Sequence, residues 1–287
     1  MARRRSQRPA WLTPALGVAA VIVVLVAVAW MFGSSDDLSS GEATTTTELA
    51  GPGRPMRLGF VMERTAYAGG QRGVDMQIEA LSMELRYCAE TIDVSCDLVV
   101  YLASEDSTSG LIIPVGEKFR AIGSVFFRLD PPNRARLSTD KLKKARRARA
   151  EAYLEAVRTQ LDEPIHQGCT TPLPAVNVAL GDLKGGAEAH LTVLASGMWN
   201  CGPAKPNIDV TGHADAAVAL ADAKAVVPDG AGTGVTFHFA MFGRTFLEKW
   251  KVMPHDQRQW LEELWTQLVA DWGGKLAGTP TGSLRFP

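Results

Sequence analysis

Residues 57–81 read RLGFVMERTAYAGGQRGVDMQIEAL, and the change of period inside this stretch decides the fold class. Leu58 to Met62 is a short continuous apolar run, the pattern of a strand buried on both faces. Gly69-Gly70 interrupts it, and from Val74 to Tyr87 the apolar residues Ile78, Leu81 and Leu85 return at helical spacing. A strand, a glycine turn and a helix form the first two parts of a parallel crossover unit, which needs a second buried strand to follow. Asp97 to Ala103, DLVVYLA, supplies it.

The rest of the chain keeps alternating. Leu111 to Val115 and Ser124 to Leu129 read as shorter strands among turns at Gly110, Gly116 and Gly123, and Pro131-Pro132 closes that block. Ser138 or Thr139 caps a helix running to about Leu161, where Pro164 and Gly168 stop it. A second short helix fits Ala175 to Leu183 before Gly185-Gly186. His190 to Ala195 (HLTVLA) is a strand, Ala214 to Val226 an Ala-rich helix, and Val235 to Phe242 (VTFHFAMF) the last strand. Asp256 to Trp272 is helical, with Trp260, Leu261, Leu264, Leu268 and Trp272 along one side. Strands separated by helices of this length predict an open, mostly parallel α/β sheet in three layers, Rossmann-like in outline. Ligand sites in such sheets lie beyond the carboxyl ends of the strands.

The chain has 287 residues, 46% hydrophobic and 21% charged, which excludes a disordered chain and a small disulfide scaffold. Its net charge of -1 excludes a protein built mainly to coat nucleic acid. That total hides an asymmetry: residues 1–10 hold Arg3, Arg4, Arg5 and Arg8 with no acid, leaving 26 basic against 31 acidic groups in the remainder. No charge occurs between Arg8 and Asp36, and Ala15 to Phe32 is unbroken apolar sequence flanked by Trp11 and Trp30. As a helix this run covers about 27 Å, close to the hydrocarbon thickness of a bilayer. The division is then a basic cytoplasmic arm (1–10), a transmembrane helix (11–33), a flexible linker (34–55), an exported domain (56–274) and a C-terminal tail (275–287). The positive-inside rule puts the N-terminus in the cytoplasm, making a single-pass protein of the cell membrane with its main domain extracytoplasmic. Ala27-Val28-Ala29 also fits a signal-peptide processing site, and either reading exports the same domain. The linker, with its run Thr44 to Thr47, has too little apolar surface to offset the entropy of ordering it. The even set Cys88, Cys96, Cys169 and Cys201 is expected to be oxidised in an exported domain, with three pairings open.

The order of elements, with the stretches Glu63-Arg64-Thr65-Ala66-Tyr67, Gly168-Cys169-Thr170-Thr171 and Ala195-Ser196-Gly197, resembles the von Willebrand factor type A fold over about residues 56–274. The layout is most similar to membrane-anchored bacterial variants of that fold. The family's metal-ion-dependent adhesion site uses an Asp-x-Ser-x-Ser after the first strand, a Thr in the middle turn and an Asp-Gly after the fourth strand. The resemblance therefore implies a site at Glu63, Thr65, Thr170, Thr171 and Ser196. Here Glu63 replaces the first Asp, Tyr67 the second Ser, and Ser196 the last Asp, so one carboxylate is left for a cation that prefers several oxygens and at least one or two carboxylates. The resemblance implies a degenerate site, with neither magnesium nor calcium as cofactor, that keeps its loops as a protein-binding rim. It also implies two disulfides, Cys169–Cys201 across that rim and Cys88–Cys96 at the end of the first helix.

Other signals point elsewhere. RLGFVMERTAYAGGQRGVDMQIEAL also resembles the opening of periplasmic-binding-type sensors, which would make the chain an anchored solute-binding domain. Thr211-Gly212-His213-Ala214-Asp215 resembles the Gly-His-Thr-Asp element of peptidoglycan-binding envelope proteins. Arg134 to Arg149 holds eight basic residues and one acid, Asp140, and reads either as a solvated helix face or as a contact for an anionic partner. Gly230, Gly232 and Gly234 precede a strand, so they form a turn and not a phosphate loop. His190 and His238 fall in strands as hydrogen-bonded structural residues, and Trp250, Trp260, Trp265 and Trp272 read as core and helix face. No nucleophile elbow, zinc-binding helix motif or catalytic carboxylate pair occurs, so no catalytic residue is assigned. The expectation is a non-enzymatic, membrane-anchored interaction module whose partner is a protein of the cell envelope.

Overall fold

A computed structural model describes residues 53–63, 70–103, 111–112, 125–161, 171–185, 188–197, 199, 216–240 and 255–278. All lie in one unit, residues 47–287. The candidate membrane helix Ala15 to Phe32 lies outside the described residues, and among these no helix is long and apolar enough to cross a membrane.

The fold is mixed α/β. In chain order the elements are β1 (Arg54–Glu63), α1 (Gly70–Glu90), β2 (Val94–Ala103), β3 (Leu111–Ile112), β4 (Phe127–Arg128), a 3-10 turn (Arg134–Arg136), α2 (Thr139–Leu161), α3 (Leu173–Leu183), β5 (Glu188–Leu194), α4 (Ala216–Val226), β6 (Val235–Ala240), α5 (His255–Asp271) and β7 (Lys275–Leu276). The sheet runs β3-β2-β1-β5-β6-β7, with β4 also paired to β2. The β2-β1-β5-β6-β7 part is parallel throughout, and the two-residue strands β3 and β4 pair antiparallel with β2. The sequence periods located every longer element. β7 is the exception: Lys275–Leu276, expected as the start of a tail, pairs with Thr236–Phe237 as an edge strand. Two residues carry no readable period, and edge strands are often this short.

Side chains alternate between two cores. Leu58, Phe60 and Met62 of β1 pack with Leu81, Leu85 and Cys88 of α1 and Tyr153, Val157 and Leu161 of α2. Val61, with Leu191 and Val193 of β5 and Phe237 and Phe239 of β6, packs on the opposite face under α3, α4 and α5. Because each central strand is buried on both faces, LGFVM and DLVVYLA appear in the sequence as continuous apolar runs. Gly59 lets the layers close up: a Cβ there would stand 3.1 Å from Leu183 Cδ1 and 3.1 Å from Leu191 Cδ1. The predicted tryptophan core is present, with Trp265 edge-on to Phe239 at 5.2 Å and to Trp272 at 5.9 Å. Trp250 lies outside the described residues. GAGTG is a turn entering β6, with Gly230 at φ +75 and Gly234 at φ +83.

Cys88 and Cys96 form a disulfide that ties the end of α1 to β2, and both are fully buried. Cys169 and Cys201 lie outside the described residues. Closing a loop this short restricts the unfolded chain by about 2–3 kcal/mol. A Cys88→Ala/Cys96→Ala variant is expected to lose at least that much unfolding free energy in urea melts.

The basic run does not form one solvated face. Arg146 is fully buried and donates from Nε to Asp130 (2.6 Å), from Nη1 to the carbonyls of Cys88 (2.9 Å) and Thr91 (2.7 Å), and from Nη2 to the carbonyl of Val94. Arg134 donates to Asp130 (2.6 Å) and to the carbonyls of Ile92 (2.5 Å) and Val94 (3.2 Å). The two guanidiniums thus serve the carbonyls left over where α1 ends and β2 begins, a place where cations are favoured by the helix dipole.

Candidate interaction rim at the strand ends

The chain leaves β1 for β2 on one side and later returns to β5 on the other, so the direction of winding reverses between β1 and β5. This is the topological switch point, where open α/β sheets leave a crevice beyond their carboxyl ends. Glu63 is the last residue of β1, and Ser196 lies two residues beyond β5.

The structure brings these two predicted residues together. The Ser196 backbone N–H donates to Glu63 Oε2 at 3.0 Å and the Ser196 hydroxyl to the same oxygen at 3.2 Å. Glu63 is 2% exposed and Ser196 fully buried, so the contact is sealed from water. Each strand end is also held from a helix. Gln77 of α1 accepts from the Glu63 N–H (2.8 Å) and donates to the Glu63 carbonyl (2.9 Å), continuing the hydrogen bonding of β1 with a side chain. Beyond β5, the Trp265 indole N–H of α5 donates to the carbonyl of Gly197 (2.7 Å), and Gly197 takes φ +79 to make the turn. Trp199 packs edge-on against Trp265 at 5.9 Å.

Thr171 is buried just ahead of α3, whereas Thr65 and Thr170 lie outside the described residues. Among the described residues no group of three or more His, Cys, Asp and Glu gathers to hold a metal ion. Of the described residues at the rim Glu63 supplies the carboxylate, and its Oε2 already accepts two hydrogen bonds, whereas a hard divalent cation takes several oxygens. Gln77 and Trp265 were not singled out for the rim from sequence. Gln77 falls on the inward stripe of α1 between Val74 and Leu81, and a polar residue at such a position is the signal that marks it.

A second polar cluster lies away from the rim. His190 Nδ1 and His238 Nε2 share a hydrogen bond at 3.0 Å, and His190 Nε2 meets Glu188 Oε1 at 3.1 Å. Burial, helped by the charge of His190, pushes His238 down to about 4 from its ordinary 6.5. A folded-state pKa below the unfolded one gives stability that is complete above pH 6.5 and is lost as pH falls through 4. His238→Gln is expected to flatten this acid limb, removing roughly 3 kcal/mol of pH dependence in urea melts.

The fold and contacts define an α/β domain with a closed polar seam at its switch point. No protein-family model and no curated protein sequence matches the chain. Among solved structures it is similar to the pilus adhesin SpaC from Lactobacillus rhamnosus GG in its open conformation, with TM-score 0.38 and 10% identity over 79% of this chain. The chain spans 28% of that protein's length.

Proposed function

We propose that the chain is a membrane-anchored extracytoplasmic interaction module with a von Willebrand type A-like domain. It works without metal or catalysis and binds a protein partner in the cell envelope through the rim at the carboxyl ends of β1 and β5. The observation that carries this reading is the Glu63–Ser196 contact. Glu63 and Ser196 are hydrogen-bonded to each other, and the hydroxyl and N–H of Ser196 answer the carboxylate that a cation would otherwise need. A rim closed in this way presents a fixed surface to a partner and does not wait for an ion to order it.

Titrating the full chain in detergent with magnesium or calcium is expected to give no binding heat. The partner is sought by pull-down from membranes with the full chain beside a Thr65→Arg/Tyr67→Arg variant, altered in the segment that follows β1. A protein captured by the parent chain and lost from the variant supports the rim. Identical capture by both, or saturable heat with either ion, removes the reading.

A further inference from the structure

Five of the eight basic side chains between Arg134 and Arg149 are engaged inside the domain. Arg134 and Arg146 hold Asp130 and backbone carbonyls, Lys143 and Arg147 meet Glu90 at 3.7 and 2.6 Å, and Arg149 donates to the Arg128 carbonyl at 2.5 Å. Arg136, Lys141 and Lys144 are left, all exposed and with no hydrogen bond or ion pair among the described residues. Lys141 and Lys144 are three apart on α2, hence on one side of the helix, and Arg136 sits in the 3-10 turn leading into it. Asp140 is the acid that accompanies them in sequence.

Their place in the fold gives this residue of charge a direction. Arg134, in the same turn as Arg136, donates to the carbonyl of Val94, and Val94 pairs with Arg54 at the start of β1. A Cβ on Gly53 would lie 2.7 Å from Arg134 Nη2. The cluster therefore stands at the end of the sheet where the chain enters the domain, opposite the rim. The chain entering there comes from the apolar run ending at Phe32, through a Ser-, Thr- and Gly-rich spacer. A spacer of this composition, some twenty residues long, has an expected root-mean-square reach of about 25 Å, so on the anchored reading a bilayer is the charged surface this end meets at the highest effective concentration.

We propose that Arg136, Lys141 and Lys144 dock this end of the domain on anionic phospholipid headgroups, leaving the rim facing outward. The inference rests on the anchored reading of the N-terminal run. Each basic side chain close to an anionic membrane strengthens association about fivefold, so three together give about a hundredfold at low salt. The docking is electrostatic and is screened as salt is raised.

The test uses the full chain reconstituted into nanodiscs of phosphatidylcholine alone or of phosphatidylcholine mixed with phosphatidylglycerol. Incorporation into both reads the anchor. Trypsin cleavage after Arg136, Lys141 and Lys144 reads the docking. The expected result is cleavage slowed at least about tenfold on phosphatidylglycerol, restored by high salt, and an R136E/K141E/K144E variant whose domain gains no protection at its remaining sites. Equal cleavage on both compositions, or protection that survives the charge reversal, overturns the proposal. A chain that fails to incorporate but is protected by added phosphatidylglycerol vesicles keeps the docking and removes the anchor. One that does neither removes both.

Discussion

At about pH 8 the Glu84→Leu variant is expected to unfold with a free energy roughly 3–5 kcal/mol above that of the parent chain. Glu84 is 2% exposed on α1, on the stripe that includes Gln77, Leu81 and Cys88, and its Oε1 has no hydrogen-bond partner among the described residues. Burial pushes its carboxyl up to about 8, so the folded domain keeps it neutral at pH 7. Between its unfolded value of 4.5 and about 8 the folded chain holds a proton that the unfolded chain has released. The contribution of Glu84 to stability is therefore complete below pH 4.5 and is lost as pH rises through 8. Leucine has no proton to lose, so the variant's curve stays flat where the parent's declines. His238 acts with the opposite sign below 6.5, and the two effects largely cancel between 4.5 and 6.5. The parent's decline should then be clearest between neutrality and about pH 8, and urea melts across that range check it. Parallel curves for parent and variant would show that Glu84 is not the buried acid described here.

Arg146→Met is the substitution expected to cost most, roughly 3–5 kcal/mol, because it removes one partner of a buried ion pair and leaves the other in place. Asp130 would keep the Arg134 guanidinium at 2.6 Å and the Ser95 hydroxyl at 2.5 Å, but the carbonyls of Cys88 and Thr91 would lose the donor that Nη1 supplies. Burial alone would push the Asp130 carboxyl up; the hydrogen bonds from Arg146 and Ser95 and the Arg146 charge outweigh it, and the net shift is down. This pair accordingly stabilises the fold above the ordinary carboxylate range and loses that contribution in acid. Arg146→Lys is not expected to rescue, since a single ammonium cannot present the planar fork that reaches four acceptors at once. On an Asp130→Asn background the loss should shrink, because the charge pairing of Arg146 with Asp130 is already absent. A cost below about 1 kcal/mol in urea melts would rule out a buried clamp.

Neither Glu84 nor Arg146 is explained by a local sequence pattern. The apolar periods that located the long strands and helices are dictated by burial of one or both faces, a property each segment carries by itself. Arg146 was submerged in a run of like charges. Its spacing from Leu142 and Ala150 places it on the buried side of α2, yet only the arrival of the α1 terminus explains why a charge belongs there. Glu84 follows the same logic on α1. At the rim, the resemblance named Glu63 and Ser196, and their 133-residue separation is closed by the parallel register of β1 with β5, which no local pattern states. Gln77 is marked in sequence as a polar residue on an inward stripe, but its partner at the end of β1, like that of Trp265 beyond β5, is set by the assembled sheet.

The position of β1 has a mechanical consequence. The chain enters the domain at Arg54, and β1 is flanked along its whole length by β2 and from Met56 to Met62 by β5, both parallel. A pull on the entering chain acts along the strand axis and loads both ladders in shear. The hydrogen bonds on the two sides must then yield together, whereas a strand at the sheet edge could be peeled away one pair at a time. Tension applied at Arg54 is therefore carried directly into the middle of the core.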